Sequence, residues 1–218
     1  MVTHDYNHTG QYTPGRVTRS VRAESPDQPG KRLTPAAARI LQVASQLFYE
    51  HGLHAVGVER IAEEAGVTKK TLYDRFGSKD ALIVAYLAAR GERYRAHIAE
   101  QVDQAGADPT RRLLAVFDAV GSWMDVDMPR GCAFVNALAE VPDPDHPVQQ
   151  IVRAEKEWVR ELFVRLATEA GATKPGQLAN QLLALHEGAI VLYSAAGDRD
   201  AAQTAREAAA ALVGIART

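Results

Sequence analysis

This chain has one cysteine in 218 residues, Cys132. No internal disulfide can form, and a reducing, cytoplasmic setting is the expectation. No uncharged apolar run approaches the about 20 residues that a membrane-spanning helix requires. The N-terminal MVTHDYNHTG has no apolar stretch of the kind a secretory signal carries. Glycine-rich phosphate loops, zinc-type Cys/His spacings and internal repeats are all missing, so nothing calls for a cofactor or a metal. Aromatic residues make up only 6% of the chain while alanine abounds, which favours packed helices over sheets. Strong charge of either sign is missing too, because the net charge is −2. Residues 1–80 carry 11 Lys and Arg against 9 Asp and Glu, a net +2, and residues 81–218 carry 14 against 18, a net −4. Any affinity for an anionic partner must therefore come from where a few positive groups sit and not from their total.

What the chain does have is a dense signal between Val58 and Leu82, VERIAEEAGVTKKTLYDRFGSKDAL. Ile61, Ala62 and Ala65 share one face of a short helix. Gly66 can adopt the left-handed conformation that ends a helix and turns the chain sharply. Val67 fills the corner, and Thr68 caps the helix that follows. Leu72 and Phe76, four apart, form the apolar side of that second helix, which leaves Lys69, Lys70, Thr71 and Tyr73 pointing elsewhere. Gly77 stops it, and Ser78 caps a third, longer helix with Lys79 and Asp80 in its first turn. Two short helices about a tight turn, the second bearing polar and basic groups, are expected to form a DNA reader, the alternative being an ordinary pair of packed surface helices with solvated lysines. For this to work, Glu59, Glu63, Glu64 and Asp74 are expected to face away from the phosphates.

Upstream, Thr34-Pro35 is a strong helix start, and Ile40, Leu41, Ala44, Leu47 and Phe48 form the stripe of a brace helix that Gly52 ends. Residues 1–33 are rich in Thr, Gly, Pro, Asn and Gln and are expected to be a disordered extension. Its basic residues, Arg16 to Arg32, could form an arm along DNA, although an ordinary flexible tail is the preferred reading.

With RILQVASQLFYEHG, IAEEAGV and TLYDRFGSKDAL in view, residues 36–82 resemble the DNA-binding domain of the tetracycline-repressor-type (TetR) transcriptional regulators. One departure is Gly57, where that family usually has Ser or Thr; glycine is an adequate cap but brings no hydroxyl to a phosphate. The expected architecture is all-α: an N-terminal three-helix helix-turn-helix domain (34–82) and a C-terminal helical domain (83–218) for ligand binding and dimerisation. The helix beginning at Ser78 is expected to reach Glu100 and to link the two. Further helices are expected at about Asp108, Cys132 to Glu140, Pro147 to Ala170, Gly176 to Ala196 and Asp200 to Arg217.

The expected partners are double-stranded operator DNA, a second copy of the chain and an unidentified small-molecule effector, with no membrane. Lys70 and Thr71 are the candidates for base edges, and Thr68, Lys69, Tyr73 and Lys79 for phosphates. The last two helices carry stripes at Leu178, Leu182, Leu185, Ala189 and Leu192 and at Ala201, Ala205, Ala208, Ala209 and Leu212. The resemblance implies dimerisation through a four-helix bundle of these elements. Phe117, Trp123, Phe134, Asn136, Trp158 and Tyr193 are the candidates for an effector pocket. Catalytic readings are weak: Cys132 with His146 lacks an orienting group, and Glu140, His146 and His186 match no ligand spacing. Cys132 as an oxidation sensor is disfavoured because Arg130 is the only cation flanking it in sequence. Two alternatives remain, a DNA-binding regulator answering to a protein partner and a helical carrier or enzyme without a DNA role.

Overall fold

The computed structural model describes residues 33–217; the expected tail, residues 1–33, lies outside the described residues except for Leu33, and its basic arm, Arg16 to Arg32, lies wholly outside them. Among the described residues there are nine α-helices and no strand. The brace helix α1 (Pro35–His51) starts where Thr34 accepts the Ala37 amide and Pro35 supplies a preset φ. It packs Ile40, Ala44, Leu47 and Phe48 against α2 (Val58–Glu64) and α3 (Lys69–Phe76). The turn between α2 and α3 closes as the sequence suggests: Val67 N–H donates to Ala62 O at 2.9 Å and Gly66 N–H to Glu63 O at 3.0 Å, with Gly66 at φ +65°. These paired bonds satisfy the last carbonyls of α2 and need a residue that tolerates positive φ. Gly57 does cap α2 without any side-chain hydrogen bond.

The long helix α4 (Lys79–Gln104) begins one residue after the Ser78 cap and runs four residues past the expected end. Around it stand α5 (Pro109–Asp127), the short α6 (Ala133–Glu140), α7 (Pro147–Glu169), α8 (Pro175–Val191) and α9 (Ala201–Ala216). α8 continues through a π-helical turn, Leu192–Ala196, to Gly197. One buried core runs from Ile40 and Leu72 through Leu87, Phe117 and Phe163 to Val213, so reader and bundle share packing along α4.

The stripes expected to form the dimer face turn out to be mostly internal. Leu178, Leu182, Ala189, Ala201, Ala205 and Ala209 are buried within the single chain. α9 packs on α8 and α5 closely enough that a Cβ on Gly121 would lie 3.1 Å from the Ala202 methyl. Small residues on α9 thus serve close approach inside the molecule. Part of the stripes does stay outside, with Leu192 and Ala208 exposed alongside Val191 (58%), Ile215 (70%), Ala184 and Ala211.

Candidate nucleic-acid interface and the buried cavity behind it

α3 sorts its residues by period. Leu72 and Phe76 are buried, while Lys69, Lys70 and Tyr73 are exposed and Thr71 is half-buried. Thr68 is occupied as the cap, accepting the Thr71 amide at 3.1 Å, and the two threonine hydroxyls lie 2.9 Å apart. Tyr73 is 44% exposed, one turn beyond Lys69 on the outer face. Lys79 stands half-buried at the start of α4 beside the Ser78 cap. Five of the six sequence candidates therefore lie on α3 or at its N-cap, and Lys79 is the first residue of α4.

Two of the four acidic residues, Glu59 and Asp74, are paired with lysines of α3. Lys69 Nζ lies 2.7 Å from Glu59 Oε1, and Lys70 Nζ lies 2.7 Å from Asp74 Oδ2. The hydrogen bond from Lys69 holds the Glu59 carboxyl below its usual range and raises the lysine in return. Both pairs are well exposed, so each is a weak bond in water, one a phosphate can exchange.

Behind the reader, the second candidate set does not converge. Trp123 and Phe134 line a small buried cavity of about 20 Å³ between α4, α5, α6, α7 and α8. Phe117 is fully buried in the core against Phe163, with ring centroids 5.7 Å apart. Asn136 donates to Arg130 O at 3.0 Å, in a recess near Glu140. Trp158 lies on an outer groove of α7 with Ile98 and Val102. Tyr193 is committed to Asp125, donating at 3.0 Å.

The residues that do share the cavity with Trp123 and Phe134 include Arg90, Tyr94, Cys132, Glu155, Lys156 and His186, none of which was in the sequence-derived set for the pocket. A signal for some of them exists: Arg90 lies on the stripe of Leu87 and Tyr94, Glu155 on that of Val152 and Val159, and His186 on that of Leu182 and Ala189. A polar residue at an inward position of an otherwise apolar face is the feature to look for.

The cavity wall is a polar network. Tyr94 Oη lies 2.7 Å from His186 Nε2, His186 Nδ1 lies 3.2 Å from Glu187, and Lys156 Nζ lies 2.6 Å from Glu187. Burial pushes the Tyr94 hydroxyl well above the ordinary tyrosine range. Burial also works against charge on Glu187, but His186 and Lys156 outweigh it and bring that carboxyl down to about 2. For Lys156, burial opposes the charge, yet Cys132 and Glu187 hold the ammonium above its usual value. Glu155 is raised by burial in spite of the Arg95 guanidinium bonded to one of its oxygens. Gly91 lets α7 approach α4 at that point, since a Cβ there would fall 2.7 Å from Glu155 Oε2. Two buried atoms on this wall have no hydrogen-bond partner, Trp123 Nε1 and Glu155 Oε1.

α6 joins this cavity to the reader. Its first turn supplies Phe134, with Cys132 as its N-cap, and its last residue, Glu140, accepts the backbone N–H groups of Leu53 (3.0 Å) and His54 (2.9 Å) just after α1. His54 Nε2 returns a hydrogen bond to Glu140 O at 2.6 Å. At the other end, Tyr49 on α1 donates to Gly131 O at 3.0 Å and accepts the Arg130 amide at 3.0 Å. Arg90 stacks over the Tyr49 ring at 4.3 Å and donates to Asp127 O.

The weak catalytic groupings come apart in space. Glu140 is in the reader clamp, His146 is 3.6 Å from Asp80, and His186 is on Tyr94. No group of three or more metal-ligating side chains occurs among the described residues, and no helix among them is long and apolar enough to cross a membrane.

A three-helix reader with its polar face outward, continuous through one long helix with a helical bundle, defines a helix-turn-helix DNA-binding regulator. Residues 40–86 match the family of bacterial regulatory proteins of the TetR type, and residues 109–209 match the tetracycline-repressor-like C-terminal domain. The solved structure of a TetR-family transcriptional regulator from Streptomyces coelicolor is 32% identical, spans 84% of this chain and 96% of that one, and superposes with a TM-score of 0.78. The transcriptional repressor DhaR of a Mycobacterium species is 27% identical over 72% of this chain and 82% of its own length. The transcriptional activator FasR of Mycolicibacterium smegmatis is 35% identical over 41% of this chain and 40% of its own. The chain belongs to the TetR family and is a DNA-binding transcriptional regulator, not an enzyme.

Proposed function

We propose that this regulator is a homodimeric repressor that binds a two-fold palindromic operator and leaves it when a small molecule occupies the bundle. In this reading residues 34–82 are the reader and 83–218 the effector and dimer domain. The observation that carries the DNA contact is the division of α3 into a buried Leu72/Phe76 face and an exposed Lys69/Lys70/Tyr73 face. Lys70 and Thr71 contact base edges, and Thr68, Lys69, Tyr73 and Lys79 contact phosphates. Two such helices must lie about 34–36 Å apart to enter successive major grooves. The exposed Val191 and Leu192, with the small exposed residues of α8 and α9, are the surface offered to the second copy.

Release follows if the effector binds better to the arrangement in which the two α3 helices no longer match the operator. Two routes carry that change: α4 itself, and α6 through Glu140 and the Tyr49–Gly131 bond. The unpartnered Trp123 and Glu155 atoms favour a small ligand among these helices. The cavity of about 20 Å³ holds one water-sized group, so it must widen to accept one. That small volume favours a second reading, control by a protein partner.

The test is selection of bound sequences from random DNA, repeated with Lys70→Ala. If Lys70 reads a base, its removal should cost about 1–3 kcal/mol and relax preference at one position per half-site. If it instead touches a phosphate, its removal should lower the salt slope by about 1 with preference intact, and that result would overturn the assignment of Lys70. Failure to select any sequence at low salt would overturn the reading as a whole.

A further inference from the structure

We propose that Cys132 is a covalent acceptor site for small soft electrophiles of the α,β-unsaturated carbonyl class, and that the adduct formed there is an effector signal. The inference rests on the effector reading of the same cavity and narrows its ligand chemistry. In sequence the nearest cation to Cys132 is Arg130, but the fold brings another from α7: Lys156 Nζ lies 3.5 Å from Cys132 Sγ. The sulfur also stands at the N-cap of α6, where it makes no capping hydrogen bond and meets the positive end of the helix dipole. Both features are placed to offset negative charge on sulfur as it attacks. Cys132 lines the cavity, so its neighbours there are the groups a bound reagent would touch.

The second, independent observation is Trp123, which lines the same cavity. Trp123 is 7% exposed, and its indole N–H has no partner. An unsatisfied buried donor of this kind costs free energy that an acceptor oxygen would recover. A reagent carrying a carbonyl oxygen conjugated to a carbon–carbon double bond satisfies both groups, with its oxygen toward Trp123 and its β-carbon toward sulfur. The conjugated unit is flat and mostly apolar, which suits the Met128, Phe134, Val159 and Ile190 side chains that are also part of the lining.

The reaction balances without any oxidant or reductant. The thiol gives up its proton to water, and a sulfur electron pair forms the new C–S bond at the β-carbon. The π pair of the double bond moves toward the carbonyl and leaves an enolate, whose oxygen takes the Trp123 hydrogen bond. Lys156 delivers a proton to the α-carbon and regains one from solvent. The net change is addition of S–H across the double bond. Because the cavity has room for only one water-sized group, the added carbon skeleton must push α6 outward. α6 is the helix whose far end holds the reader loop through Glu140.

The experiment treats the full chain with methyl vinyl ketone and reads intact and peptide mass alongside operator binding. The expected result is one adduct, on the peptide containing Cys132, with loss of operator binding in step with its formation. Cys132→Ser should bind the operator but neither gain that adduct nor respond. Lys156→Gln should slow adduct formation by at least about tenfold, while thermal unfolding under the same conditions shows that the variant is folded. Lys156→Arg, which keeps the charge, should be faster than Lys156→Gln. The proposal is overturned if the folded protein gains no adduct while urea-unfolded protein does. It is also overturned if Cys132 is fully modified and operator binding persists. Untreated protein that binds no DNA would instead remove the regulator reading, since adduct formation is measured by mass alone.

Discussion

Removing the Glu140 carboxylate is the perturbation that reports most directly on how bundle and reader are joined. Its two oxygens accept Leu53 N–H at 3.0 Å and His54 N–H at 2.9 Å, closing the loop between α1 and α2 onto the end of α6. A hydrogen bond to a charged group is worth about 1.5–3 kcal/mol net. The Leu53 bond is partly buried and should approach that range, whereas the His54 bond faces water and contributes less. Glu140→Ala should therefore cost about 2–3 kcal/mol. For a chain of this size each kcal/mol moves Tm by about 2–4 °C, so Tm should fall by about 4–12 °C. Below the transition the variant should still bind operator, because α3 and its caps are untouched, but with a reduced response to any effector acting through α6. Thermal unfolding followed by circular dichroism, with operator binding by fluorescence anisotropy, measures both. A Tm within about 1 °C of wild type, together with an undiminished response, would refute both the energetic role of the clamp and its role in transmission.

Gly52→Ala tests the same joint from the other side. Gly52 sits at φ +91°, and a Cβ would lie 3.1 Å from Glu140 Oε1, so the variant should lose more than about 1 kcal/mol in urea unfolding. Glu59→Gln frees Lys69 from its carboxylate and removes a negative group from the reader. It should tighten operator binding, most clearly at low salt, in a titration series over ionic strength. Val191→Asp places a charge in the exposed apolar surface of α8. Sedimentation equilibrium should show a shift from dimer to monomer, and an unchanged dimer would move the interface elsewhere.

Local features of this protein were legible because they depend on near neighbours in the chain. Thr34-Pro35, Gly66, Thr68, Gly77 and Ser78 mark helix ends through capping and backbone freedom, which are set within a few residues. The inward and outward sides of α3 follow from the spacing of Leu72 and Phe76 alone. The missing cysteines, glycine loops and long apolar runs narrowed the class in the same local way.

Interactions between distant helices were decided by tertiary structure. The α8 and α9 stripes read as a dimer face because sequence shows that a face is apolar but not which surface covers it; α5 and the partner helix within the chain cover most of it. Six aromatic and polar residues were expected to share one pocket, and only Trp123 and Phe134 do, since convergence depends on helix crossings that no local pattern encodes. Glu59 on α2 pairs with Lys69 on α3 because the turn brings the two helices together, whereas Lys70 and Asp74 pair locally at i,i+4 within α3. Lys156 reaches Cys132 and Glu140 reaches Leu53 across separations of 24 and 87 residues. The sequence by itself determined a helical DNA reader with a particular outward face. The fold decided which helices fasten that reader to the bundle and which side chains surround the one cysteine, because those depend on long-range packing and not on neighbours in the chain.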